Sequence, residues 1–406
     1  MVLHGPRTVG KSTLLRWLAD DLGGRFVDLD DVASREVARA DPSIYVGPGE
    51  PDSPPVFIDE YQHVPELLDA IKATLNRRLC PGMFVITGST NYSTLPRAAQ
   101  SLTGRAEVLT VRPLTQAELS SAERSDGGQD TFVERLCRDP AALRDRTGST
   151  SRDDYISRVL AGGMPVALRQ PTDAARRAWF RGYLDLVVQR DVLDIRRIRQ
   201  RDALPRLLQG LVAQTGQLLN MARAAEKAGL NRAVGSDYVT LLEAVFAIHR
   251  LPAWGTAPNA RVNSAPKVHV FDTGLGGWLL RLAAEPLRRG DPTAWEQFGH
   301  LLESFVVNEL CAQASWMHEP PLTGHFRTKD GHEVDLVLEL FEGTVAAVEV
   351  KAGTRVRAQD LRGLVAMRDR VGTSFAGGVV LYTGTDAYRL DEKIYAVPID
   401  QLWTNS

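Results

Sequence analysis

The stretch "GPRTVGKST", Gly5 to Thr13, decides the fold. Gly5 and Gly10 enclose four residues, and Lys11 and Ser12 follow, which completes the G-x-x-x-x-G-K-[ST] pattern of a phosphate-binding loop. Glycines let backbone N–H groups curl around phosphate oxygens without Cβ clashes. The pattern predicts that Gly5, Pro6, Arg7, Thr8, Val9, Gly10, Lys11, Ser12 and Thr13 cradle a nucleotide's phosphates. It sets the Lys11 ammonium against the β- and γ-phosphates and the Ser12 hydroxyl on Mg²⁺. The flanks agree: Val2-Leu3 ends a short strand, and Thr13 to Leu18 runs on as an apolar helix.

A phosphate loop needs acids at the end of another strand. "PPVFIDEYQHV" supplies them: Val56-Phe57-Ile58 reads as a buried strand ending in Asp59 and Glu60, expected on a neighbouring strand. Asp59 is placed to hold Mg²⁺ through water and Glu60 to polarise the attacking water. A third apolar strand, "MFVITGSTN", ends in Thr87, Ser89 and Asn91, candidates for reading phosphate state or plain turn residues. Arg105 precedes a fourth strand, Val108 to Val111, and is a candidate to neutralise transition-state charge in its own subunit or a neighbour's. "RFVDLDDV" adds another strand ending in acids. Strands alternating with helices predict a parallel α/β sheet with its ligand at the carboxyl ends.

The G-P-R-x-V-G-K-[ST] loop, the L-D-D strand end, the I-D-E-x-Q-x-V-P-E-L run from Ile58 to Leu67 and the T-G-S strand end together resemble a prokaryotic family of AAA-type P-loop ATPases. The resemblance implies the additional-strand (AAA+/ASCE) fold, ATP with Mg²⁺ as ligand, and Glu60 as the water-activating acid. Family members usually carry a longer segment before the loop, and this sequence departs there. ATP over GTP also rests on the resemblance, because no N-K-x-D base-reading motif appears.

The 406 residues allow two or three domains. A formal net charge of −2 excludes a globally basic coat but not a local basic face. Cys80, Cys137 and Cys311 are isolated, which argues against a disulfide framework or structural zinc. No apolar run is long enough to span a membrane, and no secretory signal fits before Gly5. The expectation is a cytoplasmic protein with no membrane partner. Domains are expected at 1–114 (P-loop core), 115–175 (helical lid and connector, with "AGGMPVAL" as the family's Gly-Gly-x-Pro turn), 176–262 (helical and winged-helix) and 263–406 (nuclease-like).

From Arg176 to Arg206 nine arginines face four acids, a run that suits a phosphate backbone, a solvated helix face or an intersubunit layer. Arg190-Asp191 matches the family pattern with no known role. "LLNMARAAEKAGLNRAVGSDYVTLLEAVFAIHRLPAW" then has helix–turn–helix spacing: Gly229 for the turn, Asn231 as N-cap, and Val234, Tyr238, Leu241, Leu242 and Val245 as the apolar face. "FAIHRLPAW" would be a wing strand. In a DNA-binding module Arg232, Ser236 and Asp237 would face the major groove, although Gly235 stands where an apolar residue is preferred.

The last part is α/β again. "HEVDLVLEL" carries Asp335, and "VAAVEVKAG" carries Glu349 and Lys351, a D…ExK pattern. Asp335 and Glu349 at adjacent strand ends can share a divalent metal while Lys351 orients water. With Glu303 from the helix "FGHLLESFVVNEL", this resembles the PD-(D/E)XK (restriction-endonuclease-like) fold, with Glu303, Asp335, Glu349 and Lys351 in the catalytic positions. Glu309 is the alternative helix acid, but it sits within the apolar face and needs a buried partner. Arg327, Lys329 and His332 on the preceding hairpin contact phosphate or form a solvated turn. Two functions stand. One is an ATP-hydrolysing protein that acts on DNA, with nuclease activity open. The other is a nucleotide-switched scaffold, with a protein partner or a homo-oligomer.

Overall fold

The computed structural model describes residues 1–47, 54–77, 80–91, 102, 104–120, 130–144, 146–188, 192–195, 198, 200–255 and 264–404. The chain forms two compact units: Met1–Pro113 with Arg181–Arg201 and Thr240–Ala247, and Leu114–Phe180 with Asp202–Val239 and Ile248–Ser406.

The first unit is built on a parallel sheet of five strands: β1 (Val2–His4), β2 (Arg25–Asp28), β3 (Val56–Asp59), β4 (Phe84–Gly88) and β5 (Val108–Thr110), in the order β2-β3-β4-β1-β5. The central strands are continuous apolar runs because helices cover both faces. On one face the helix Lys11–Leu22 sets Leu15 and Ala19 against Leu3, Phe57 and Val85. On the other, the helix Leu67–Arg77 sets Leu68, Ile71 and Leu75 into a core with Val2, Ile58 and Ile86. The parallel sheet is consistent with a P-loop NTPase. One expectation is corrected: β3 is not the neighbour of β1, because β4 lies between them and pairs with both. Apolar periodicity finds strands but does not order them.

The second unit holds a mixed six-stranded sheet, β9 (Leu322–Arg327), β10 (Glu333–Glu339), β11 (Val345–Lys351), β12 (Phe375–Tyr382), β13 (Tyr388–Asp391) and β14 (Ile394–Pro398), ordered β13-β14-β12-β11-β10-β9. β9, β10 and β11 form an antiparallel meander, and β12 and β14 run parallel to β11. The helix Pro292–Ser315 precedes the meander and the helix Arg362–Val371 crosses from β11 to β12. Leu364 and Met367 of the latter pack on Val334, Val337, Ala347 and Val380.

The same unit holds a three-stranded sheet, β6 (Gln217–Leu218), β8 (Lys267–Val270) and β7 (Ile248–Leu251), antiparallel throughout. The helices Ala203–Val212, Met221–Lys227 and Arg232–Ala244 come before β7 in the chain. Gly229 takes a left-handed φ of 73°, and Asn231 Oδ1 accepts from the Val234 N–H at 2.9 Å. Gly235 has a packing reason: a Cβ there would lie 2.7 Å from the Ala225 Cβ, so the two helices approach through the missing side chain.

Two expected boundaries move. The division at 262/263 separates β7 from β8, which are hydrogen-bonded partners. Residues 115–175, expected as a lid, fall in the second unit. Buried carboxylates tie them there: Asp400 Oδ2 accepts from the N–H groups of Ser149 and Thr150 at 2.7 and 2.9 Å, and Asp272 Oδ2 accepts from the Gly163 N–H at 2.7 Å. Of the arginine-rich run, Arg190, Asp191, Arg196, Arg197 and Arg199 lie outside the described residues.

Candidate functional site

In the first unit the carboxyl ends of β1, β3 and β4 carry the candidate residues. The loop Gly5–Gly10 leaves β1 and enters the helix Lys11–Leu22 through Gly10, whose φ of 100° is left-handed. A Cβ on Gly5 would stand 2.1 Å from the Val111 carbonyl oxygen, so the loop passes β5 too closely for any side chain. Thr8 is left-handed at φ 63°, a cost of roughly 1–2 kcal/mol for a non-glycine residue. The buried Lys11 Nζ donates to the Gly5 and Pro6 carbonyls at 3.0 and 2.8 Å, and Ser12 stands exposed in the helix's first turn.

Asp59 ends β3, and Glu60 turns the chain with a left-handed φ of 54°. Thr87, the next-to-last residue of β4, links both: its hydroxyl donates to Asp59 Oδ1, and the Glu60 N–H donates to Thr87 Oγ1 at 3.3 Å. The Gln62 amide donates to Glu60 Oε2 and, at 3.3 Å, to Ser89 Oγ. Burial raises the Glu60 carboxyl above its ordinary value, against the opposing pull of Lys11. His4 at the base of the loop is pushed down to about 4 by burial and then by the Lys11 and Arg112 charges, so it is neutral at pH 7. It is hydrogen-bonded to Thr110 Oγ1 at 2.8 Å.

These residues fit a magnesium nucleotide. The helix start offers N–H groups to phosphate, Lys11 is a movable cation, and Ser12 and Asp59 are the hard oxygen donors Mg²⁺ takes. Thr87 and Ser89 stand where the sequence reading put them. The backbone N–H of Asn91 donates to the Ala244 carbonyl at 2.8 Å. Arg105 is not brought to this cluster. It precedes β5 and lines a cavity with Met1, Pro55, Met83 and Glu107 at the amino edge of the sheet, away from Gly5, Asp59 and Thr87. Its assignment within its own subunit is therefore corrected: a parallel sheet puts the residue before a strand and the residue after it on opposite edges. Gln62 is the functional neighbour that sequence reasoning left without a role.

In the second unit Glu303, Asp335 and Glu349 do converge, and all three are buried. Lys351 Nζ donates to Glu349 Oε1 at 2.5 Å, two residues apart on one face of β11. The unforeseen member is Lys267. Its ammonium, 1% exposed, lies 2.8 Å from Glu303 Oε1, 2.6 Å from Glu333 Oε1 and 2.7 Å from Asp335 Oδ1. Asp335 Oδ2 accepts from the Val350 N–H at 2.9 Å. Glu349 Oε2 has no hydrogen-bond partner among the described residues. Burial and then Asp335 push Glu303 up to about 8, and the same two causes hold Glu349 well above its ordinary value. Asp335 is lowered: Lys267 and Lys351 outweigh its burial.

A divalent metal does not fit this cluster as it stands. Among the described residues no group of three or more His, Cys, Asp or Glu side chains is arranged to hold one. Both oxygens of Asp335 are taken, and a cation already lies between the acids. A metal shared by Asp335 and Glu349, as expected, would compete with the Lys267 ammonium at Asp335 Oδ1. Glu333 was legible, since E-V-D places it on the same face as Asp335; Lys267 was not, because all four residues of its strand are buried. Glu309 has its partner elsewhere: both its oxygens accept from the Gln116 N–H at 2.9 Å. On the hairpin, Arg327 pairs with Glu333 at 3.2 Å.

Three family models match the chain. An AAA domain matches residues 1–120, and two domains of unknown function, DUF8612 and DUF4143, match 152–286 and 298–402. Two uncharacterized proteins, of Mycobacterium bovis and Mycobacterium tuberculosis, are each 25% identical over 405 residues, spanning 100% of this chain and 81% of theirs. The AAA match, together with DUF4143, supports an AAA-type ATPase. Among the described residues no helix is long and apolar enough to cross a membrane.

Proposed function

We propose that the chain hydrolyses ATP at the carboxyl ends of β1, β3 and β4. The observation that carries this reading is the Thr87 hydroxyl bridging Asp59 and the Glu60 backbone in the presence of a complete phosphate loop. Lys11 leaves the Gly5 and Pro6 carbonyls for the β- and γ-phosphates, which favour it because anionic oxygens replace two neutral acceptors. Ser12 and Asp59 would hold the nucleotide's Mg²⁺, which would shield the phosphate charge from the attacking water. Glu60, kept in place by the Gln62 amide, takes the proton of the attacking water. Gln62 also reaches Ser89, so a change at the γ-phosphate is passed from β3 to β4 through one side chain. Arg105 has no part in this proposal. Turnover of ATP in Mg²⁺ by the purified chain tests it; no turnover above that of Lys11→Ala refutes it.

A second reading, that ATP use serves the handling of DNA, rests on one feature of the second unit. Two helices joined at Gly229 precede the β7–β8 pair, and Arg232 and Ser236 are exposed on the second helix. Retention of duplex DNA that weakens steeply with added salt supports it. ATP turnover indifferent to DNA shifts the weight to a nucleotide-switched scaffold with a protein partner.

A further inference from the structure

The carboxylates Glu303, Glu333 and Asp335 come from two elements, the helix Pro292–Ser315 and β10. The ammonium between them comes from a third, β8 of the three-stranded sheet. We propose that Lys267 is a built-in cation that takes the place of a divalent metal at this cluster, making the six-stranded domain a non-cleaving body locked to β8.

Three observations carry the inference. First, the ammonium donates to Glu303 Oε1 at 2.8 Å and to Asp335 Oδ1 at 2.7 Å, and it forms an ion pair with Glu333 Oε1 at 2.6 Å, so three acid oxygens already hold one cation. Mg²⁺ sits about 2.1 Å from its oxygens, so an ion on the same atoms would stand against the ammonium, and like charges at such separations repel strongly. Second, the lysine cannot swing aside cheaply. It is 1% exposed, and β8 is held between β6 and β7. Its neighbour His269 is hydrogen-bonded at 2.9 Å to Ser304 Oγ, and Ser304 in turn lies 2.8 Å from Thr215 Oγ1, one residue away from Glu303. Third, the backbone at Gly216 comes close to the cluster: a Cβ there would fall 3.1 Å from Glu303 Oε2. The arrangement is a closed ion cluster, in which burial makes the loss of any one partner costly.

Mn²⁺ is the probe, added to the full chain without nucleotide and followed by equilibrium dialysis and by thermal melting. Wild type and Asp335→Asn are expected to take up Mn²⁺ equally, and the wild-type melting temperature is expected to be the same in Mn²⁺ and in EDTA. Lys267→Ala is expected to gain one Mn²⁺ per chain, and Lys267→Ala with Asp335→Asn to lose it again. Wild-type uptake that Asp335→Asn abolishes overturns the proposal. So does a folded Lys267→Ala that gains no metal. If Lys267→Ala does not fold, the wild-type measurements decide, joined by one more: incubation of wild type with plasmid DNA or RNA in Mn²⁺. No cleavage is expected, and cleavage that Lys351→Ala removes refutes the proposal.

Discussion

Glu60→Gln isolates the one step of hydrolysis that needs a base. The carboxylate is buried, 8% exposed, and its backbone is fixed by Thr87, so the amide takes the same place. Nucleotide contacts are made by the loop, not by Glu60, and ATP affinity is expected to stay within about threefold of wild type, or about 0.6 kcal/mol. Turnover is expected to fall roughly 10²–10⁴-fold, because a positioned base contributes about that much, equivalent to about 3–5 kcal/mol of barrier. The pH dependence has a definite sign. Burial raises the Glu60 carboxyl, and the base works only when ionised. Wild-type turnover therefore climbs with pH up to and through that raised value, and the Gln variant lacks this limb. The assay is phosphate release at saturating ATP, with binding measured separately on a fluorescent nucleotide. A variant that binds ATP normally and turns it over within tenfold of wild type would refute the assignment.

Lys11→Ala is expected to weaken ATP binding roughly 10–100-fold, since charged hydrogen bonds contribute about 1.5–3 kcal/mol; calorimetric titration checks it. Gly235→Leu drives a side chain into Ala225 and is expected to cost about 1–3 kcal/mol, read as a lower melting temperature. Glu309→Gln tests a buried acid. Burial pushes Glu309 up to about 8, although its bonds from the Gln116 and Ala117 N–H groups pull the other way. A folded state that keeps a proton which the unfolded chain releases near its ordinary 4.5 is destabilised as pH rises from there to about 8. The Gln variant does not titrate, so its urea midpoint should gain on wild type between pH 5.5 and 8; a gap that stays constant with pH removes the argument.

The two halves of the chain were legible to different depths, and the difference is physical. The first unit announces itself because phosphate binding needs special backbone. Gly5 cannot carry a Cβ beside Val111, and Gly10 must be left-handed at the helix start, so the chemistry is written in residue types at fixed spacing. Strand order is not written that way. β4 enters between β1 and β3 through pairings that each strand's apolar pattern permits equally, and the resemblance to AAA-type ATPases, rather than periodicity, implied it. Arg105 failed for a related reason: which edge of the sheet a residue occupies follows from strand direction.

In the second unit the acids were found and their meaning was not. Glu303, Asp335, Glu349 and Lys351 are spaced as a metal site would be, and the structure brings them together. What a cluster of acids does depends on the cation it holds, and here that cation comes from Lys267, 36 residues before Glu303 in a fully buried strand. No local pattern marks such a lysine, because a buried charge is determined by partners distant in sequence. The same reasoning separates Glu303 from Glu309, two buried acids of one helix. Glu309 closes on the Gln116 backbone N–H, while Glu303 closes on an ammonium. Glu309 is bound to a backbone N–H and, among the described residues, to no lysine that could be exchanged for a metal. A carboxylate bound to a single lysine can become a metal ligand if that lysine is removed, which is why one substitution at Lys267 distinguishes a locked scaffold from a nuclease more directly than any change to the acids themselves.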